Sequence, residues 1–176
     1  MQRNHGYVTL GTSHDTSECA CDSRRQWWQR EGQLFYPEAT ALLLLCDGGG
    51  SNSARTYLCK ADLAKLVHEI GMEIRVAHYP PYTSKYNPIE HRLFPHLTRA
   101  CQGVVFTSVD LVKDLMVKTS TKTGLEVSVN ILDKVYATGR KVTATVKEQM
   151  RVIFDDERPQ WNYRVLPGLT PIGEVI

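Results

Sequence analysis

The chain has 176 residues, of which 42% are hydrophobic and 23% charged. That composition excludes a disordered tail, a collagen-like fibre and a disulfide-dense miniprotein, and leaves room for one domain or one domain with a small appendage. Basic residues outnumber acidic ones by 21 to 19, and a net charge of +2 is too small to establish nucleic-acid binding by itself. The longest apolar run, Ala41 to Cys46, is far too short to span a bilayer, and no apolar stretch follows the N-terminal Met1 to His5. Neither a transmembrane helix nor a secretory signal is therefore expected. Five scattered cysteines without a CxxC pair fit a reduced, cytoplasmic chain. Cys19 and Cys21, two apart, would point to different faces of a helix and make a poor metal site.

In chain order, Gly6 to Thr12 reads as a short strand of apolar and β-branched residues between glycines. Asp15, Thr16 and Ser17 then offer a helix N-cap, and Gly32 is expected to stop that helix after about four turns. Ala41 to Cys46 does not alternate, and Asp47-Gly48-Gly49-Gly50 ends it. A short, continuously apolar segment suits a strand buried on both faces, as in a parallel sheet under helices. Leu63, Leu66, Val67 and Ile70 give the spacing of an amphipathic helix, capped by Gly71. Met72 to Tyr79 alternates and predicts a second strand, joined to the first by a parallel crossover.

Pro80 to Tyr86 is a stiff loop, after which Asn87 caps a helix with Pro88 at its first position. A further helix begins near Ser108, carrying Val112, Leu115 and Met116. Glu126 to Leu132 reads as a strand or extended segment. Thr145 and Glu148 form a capping box ahead of Met150, Ile153 and Phe154, and the tail from Pro159 is expected to be extended. The nearest thing to a boundary lies around Thr123-Gly124, giving a core of residues 1–125 and an appendage of 126–176.

Two acids stand out by placement. Asp47 follows a buried strand, where α/β folds usually put their ligands. Glu90 lies in the first turn of a helix entered from the next strand's loop. Two hard oxygen ligands suit Mg²⁺ or Mn²⁺, and a two-metal centre acts on phosphodiesters. Each acid also has a structural reading, Asp47 as a turn residue and Glu90 as the capping-box partner of Asn87. Between Pro81 and Leu125 six basic residues (Lys85, Arg92, Arg99, Lys113, Lys118, Lys122) stand against three acidic ones (Glu90, Asp110, Asp114). Tyr79, Tyr82 and Tyr86 interleave with Lys85. Cations for phosphates and flat rings for splayed bases suit a DNA-handling loop, the alternative being a solvated face over packed tyrosines. The Gly-rich turn at 47–52 could instead cradle a phosphate in a nucleotide-binding α/β protein, but it lacks the Lys-Ser/Thr pair of a P-loop.

The runs Asp47-Gly48-Gly49-Gly50-Ser51-Asn52 and Pro80-Pro81-Tyr82-Thr83-Ser84-Lys85-Tyr86-Asn87-Pro88-Ile89-Glu90-His91-Arg92-Leu93-Phe94 closely resemble the Rhodopirellula-type DDE transposase domain of bacterial insertion sequences. Gly11 to Thr16, Trp27-Trp28, Thr121 to Leu125 and Trp161-Asn162-Tyr163 match in order. The resemblance implies an RNase H-like α/β fold, a mixed sheet flanked by helices, and a metal-dependent DDE active site that cuts DNA and transfers the strand. Asp47 then matches the second acid and Glu90 the third, both as catalytic metal ligands for Mg²⁺ or Mn²⁺. Asn87 and His91 flank Glu90 as supporting or DNA-contacting groups, and Lys85, Tyr86, Arg92 and Lys122 are the candidate DNA contacts.

The family's first acid lies on a strand upstream of this chain. Asp15 and Glu18 match a helix start instead. The resemblance therefore implies a fragment lacking the first strands, impaired alone, or a remnant that only binds DNA or a full-length transposase. Without those strands Ala41 to Cys46 would pair on one side only, leaving an edge prone to self-association. Pro95, inside the helix that carries Glu90, should kink it.

Overall fold

The computed structural model describes residues 4–47, 49–53, 55–168, 171–173 and 175. In chain order its elements are β1 (His5–Gly11), α1 (Ser17–Trp27), α2 (Gln33–Phe35), β2 (Ala41–Cys46), α3 (Tyr57–Ile70), β3 (Glu73–His78), α4 (Ile89–Arg92), α5 (Phe94–Cys101), α6 (Val109–Val117), β4 (Glu126–Leu132), α7 (Ala144–Gln149), β5 (Val152–Phe154) and β6 (Asn162–Val165). They form two compact units. The first comprises the described residues of Met1–Ser13 and Ser84–Val135, the second those of His14–Thr83 and Tyr136–Ile176. The architecture is α/β, with mixed sheets flanked by helices.

In the first unit β1 and β4 pair in parallel, from His5 opposite Glu126 to Gly11 opposite Leu132. Leu93, Leu97, Leu125 and Val127 form the core, with Val8, Met116 and Val129 packed against them. A Cβ on Gly6 would stand 2.6 Å from Leu93 Cδ1, so β1 and the Leu93 side chain approach as only a glycine allows. α6 begins near Ser108 as predicted, and the Ser108 hydroxyl caps it by accepting the Leu111 N–H at 3.1 Å.

In the second unit the strand order is β2-β3-β6-β5, with β2 parallel to β3 and the other two pairs antiparallel. The helix α3 covers this sheet: Leu66, Val67, Ile74 and Val165 are completely buried between them. Gly71 ends α3 in the left-handed conformation (φ 69°), donating its N–H to Val67 O. The Thr16 hydroxyl caps α1 by accepting the Cys19 N–H at 3.2 Å. Asp62 on α3 is buried, and both its oxygens are satisfied. Arg140 grips them in a fork at 3.0 and 2.7 Å, and the Ser17 hydroxyl donates to one at 2.5 Å. Nearby, buried Asp22 accepts the Tyr136 hydroxyl at 2.9 Å and pairs with Arg25.

Several sequence expectations are corrected. Gly32 does not stop the first helix. The chain passes from α1 through a π turn (Trp28–Gly32) into α2, and Gly32 is itself right-handed helical (φ −55°). Its lack of a side chain serves packing, because a Cβ there would fall 2.3 Å from Trp28 Cε3. The strand β2 is not buried on both faces: Leu43 and Leu45 are 64% and 48% exposed, since the core packs only on the Leu42, Leu44 and Cys46 side. Its only partner strand among the described residues is β3. Pro95 breaks its helix outright. α4 ends at Arg92, Leu93 leaves helical geometry, and α5 restarts with Pro95 in its first turn, where the missing N–H costs nothing.

The expected capping box is shifted. Thr143, not Thr145, caps α7 by accepting the Val146 N–H at 3.2 Å. Ile153 and Phe154 belong to strand β5, and the tail expected to be merely extended supplies β6 inside the sheet.

Replacing Gly32 by alanine tests the packing role. Alanine normally stabilises a helix interior by roughly 1 kcal/mol over glycine. Here overpacking against Trp28 should reverse the sign, costing about 1–3 kcal/mol and lowering the urea midpoint.

Candidate functional site

Asp47 emerges at the carboxyl end of β2, where the parallel β2–β3 pair opens. It is exposed, and its Oδ1 accepts the Gly49 N–H at 3.3 Å. The chain then turns through Gly50 in the left-handed region (φ 51°), a conformation that glycine adopts without strain. A Cβ on Gly49 would lie 4.0 Å from Asp47 Oδ1, and one on Gly50 3.7 Å from Asp15 Oδ2. The bare turn thus has a carboxylate at each glycine, and Asp15, which the sequence comparison set aside, reaches it. Glu18 lies 3.5 Å from Arg140 and joins the ion cluster of Arg140 and Asp62.

The turn is fastened from below by residues that sequence reasoning missed. Arg24 on α1 donates to Asn52 Oδ1 at 2.6 Å. His78, buried at the end of β3, sits between two carbonyl oxygens, with Nδ1 2.8 Å from Trp161 O and Nε2 2.9 Å from Asn52 O. The Gly-rich turn does not open directly onto a long helix. It enters a three-residue 3-10 turn (Gly50–Asn52), and α3 starts only at Tyr57 without a side-chain cap. That is a poor phosphate cradle by the helix-terminus mechanism.

Glu90 belongs to the first unit. It is half-buried in the single turn of α4, and its N–H donates to Asn87 O at 3.1 Å. The expected Asn87 cap is shifted: Pro88 holds the N-cap position of α4 without a side-chain cap, and Asn87 just before it accepts the Ile89 N–H through its Oδ1 at 3.3 Å. His91 Nε2 donates to Lys85 O at 2.6 Å, tying α4 to the short helical turn Ser84–Tyr86. The Lys85 ammonium lies 5.1 Å from the centre of the Tyr86 ring, which is itself 66% exposed. Lys85, Tyr86 and His91 are thus brought together. Arg92 is exposed at the end of α4, and Lys122 is exposed in the separate turn before β4.

Charge and thiol chemistry near Asp47 are muted by burial. Desolvation raises the Cys21, Cys46 and Cys59 thiols above their ordinary range, so they stay protonated and inert. Lys60 is buried with its ammonium 4.8 Å from the Tyr163 ring centre, and desolvation pushes its pKa down. Among the described residues no three or more His, Cys, Asp and Glu side chains cluster as a metal-binding group. Asp47 and Glu90 nevertheless offer carboxylate oxygens, the donor type that Mg²⁺ and Mn²⁺ prefer.

The family model of the Rhodopirellula transposase DDE domain matches residues 1–167. The chain belongs to this family. Comparison with curated proteins and with solved structures returned no significant match. For a transposase DDE domain, interaction with DNA is implied, and domains of this type generally use divalent metals. No helix among the described residues is long and apolar enough to cross a membrane.

The burial of the thiols is open to measurement. Alkylation of the native chain should modify at most Cys19 and Cys101, the two partly exposed cysteines, whereas all five react in denaturant. Mass spectrometry of the modified peptides reads the difference. Rapid native labelling of Cys46 would mean that the end of β2 is open.

Proposed function

We propose that Asp47 and Glu90 are the metal-holding carboxylates that this chain contributes to DDE transposase chemistry, and that Lys85, Arg92 and Lys122 hold DNA phosphates while Tyr86 meets a base. Family membership across residues 1–167 supports the class of activity. The local observation that carries the reading is Asp47 itself, an exposed carboxylate at the carboxyl end of a parallel strand, beside a turn kept free of side chains.

A bound divalent ion supplies Lewis acidity to a phosphodiester and favours formation of a nucleophilic oxygen. The chain's residues do the rest. Asn87 fixes the start of the turn that presents Glu90. His91 holds the Lys85 carbonyl, and so the path of the loop that carries the cation and the ring. With two acids of the triad assigned here, the chain is proposed to bind metal weakly and to be impaired in cleavage without a further acid. The open side of β2 is proposed to accept a further strand, from a second copy or a full-length transposase.

Calorimetric titration with Mn²⁺ tests the carboxylates. Weak binding by the wild type should be lost in both Asp47→Asn and Glu90→Gln; equal binding by all three proteins removes the metal-site assignment.

DNA binding should depend on salt and not on sequence. Lys85→Ala and Arg92→Ala should each weaken binding to any duplex and reduce the salt slope by about one. A sharp preference for one duplex sequence would contradict this assignment.

A further inference from the structure

We infer that Tyr82 is a base-stacking residue that receives an unpaired base of single-stranded DNA; the inference rests on the DNA-handling function proposed above. Pro80 to Thr83 form a tight turn in which the Thr83 N–H donates to Pro80 O at 3.2 Å and the Thr83 hydroxyl donates to the same oxygen at 2.6 Å. Pro81 occupies the first central position, where its ring fixes a negative φ. Tyr82 occupies the second, with φ 64°. That is the geometry of a type II turn, whose second central residue is ordinarily glycine or asparagine, because a larger side chain is strained there.

Tyr82 is the one non-glycine residue with positive φ among the described residues. The strain is not offset by packing, since the side chain is 100% exposed. Other tyrosines show the contrast: Tyr136 and Tyr163 are 1% and 3% exposed. A large ring is therefore held out in water, at a position where glycine would be more comfortable, on a turn stiffened by two prolines. The turn thereby fixes where the ring leaves the backbone, and both faces of the ring are open to a ligand.

The neighbouring sequence indicates the ligand. Three and four residues further on come Lys85 and the exposed Tyr86, a cation for phosphate and a second flat surface. Every base has a π-face that such a ring can stack on without reading sequence, provided the base is unpaired. A duplex keeps its bases stacked internally and offers the ring no equivalent partner.

Fluorescence anisotropy with a labelled oligothymidylate and a labelled blunt duplex tests the inference, using the full chain and its Tyr82→Phe, Tyr82→Ala, Tyr82→Gly and Lys85→Ala variants. Tyr82→Ala and Tyr82→Gly should weaken oligothymidylate binding about ten-fold, the loss of one base stack. Tyr82→Phe should retain it. The salt slope should stay that of the wild type in all three, since no cation is removed, and duplex affinity should not change.

Tyr82→Gly should meanwhile raise the thermal midpoint by about 2–4 °C as the turn relaxes, which separates lost binding from lost folding. Stacking is overturned if Tyr82→Phe binds as weakly as Tyr82→Ala, if the duplex loses as much as the single strand, or if Tyr82→Gly binds like the wild type. If the wild type binds neither DNA, the DNA-handling function falls as well. If Lys85→Ala weakens binding and the Tyr82 variants do not, stacking alone falls.

Discussion

The carboxylate of Asp62 imposes the strictest demand in the second unit. Asp62 is only 3% exposed, and stripping water from such a charge costs several kcal/mol unless partners replace the water. The replacements reach Asp62 on α3 from two places: Arg140, and the Ser17 hydroxyl at the start of α1. Helix packing alone leaves α1 free to slide along α3, because apolar contacts are not directional. The directional Ser17 bond and the Arg140 fork remove that freedom. They also fasten the segment after Tyr136, which goes on to supply β5 and β6. Removing Arg140 would leave a buried charge unpaired, a larger loss than the pair's own attraction.

The same logic explains how the Asp47 turn is held. Arg24 and His78 reach the single residue Asn52 from a helix and a strand, one through its side chain and the other through its carbonyl. The turn can therefore lack side chains at Gly49 and Gly50 and still keep a defined path. Rigidity comes from the bonds to Asn52. Burial keeps the adjacent thiols neutral, so the carboxylates carry the reactive character of this end of the sheet.

What could be read from the sequence, and what could not, divides by range. The bounds of Ala41–Cys46 and Glu126–Leu132 were legible, the first as an apolar run ended by Asp47, the second as an extended segment ended by Asp133. Ser108, Thr16 and Gly71 announced helix ends through local chemistry. Gly32 misled because a glycine that ends a helix and a glycine that admits a neighbouring ring look identical in one dimension. Thr143 and Thr145 offer the same hydroxyl two residues apart, and the structure uses the first, which accepts the Val146 N–H. β6 has four residues and no long alternation, so it becomes a strand only through β3 and β5 on either side. Asp47 and Glu90 were singled out by motif alone, and their metal-holding role is a proposal. The supports for Asp47 were not: His78 meets Asn52 and Trp161 across 26 and 83 residues, and no local pattern encodes such a link. Asp15 was passed over for its place at a helix start, although that start brings its carboxylate to the Gly50 turn.

The strand order of the second unit has a consequence for how the chain is made. β6 lies between β3 and β5, yet it is the last of the four to leave the ribosome. During synthesis β2 and β3 can pair as soon as α3 has folded back. The other side of β3 must then wait until residues 162–165 emerge, more than eighty positions later. Through that interval β3 carries an open margin that β6 later covers, in the same sheet as a β2 margin with no second partner strand among the described residues. Long-range pairing of this kind is slow to form and vulnerable to capture by other chains. The yield of folded protein should therefore depend on translation speed and on chaperones that shield strands, more than on the stability of the finished sheet.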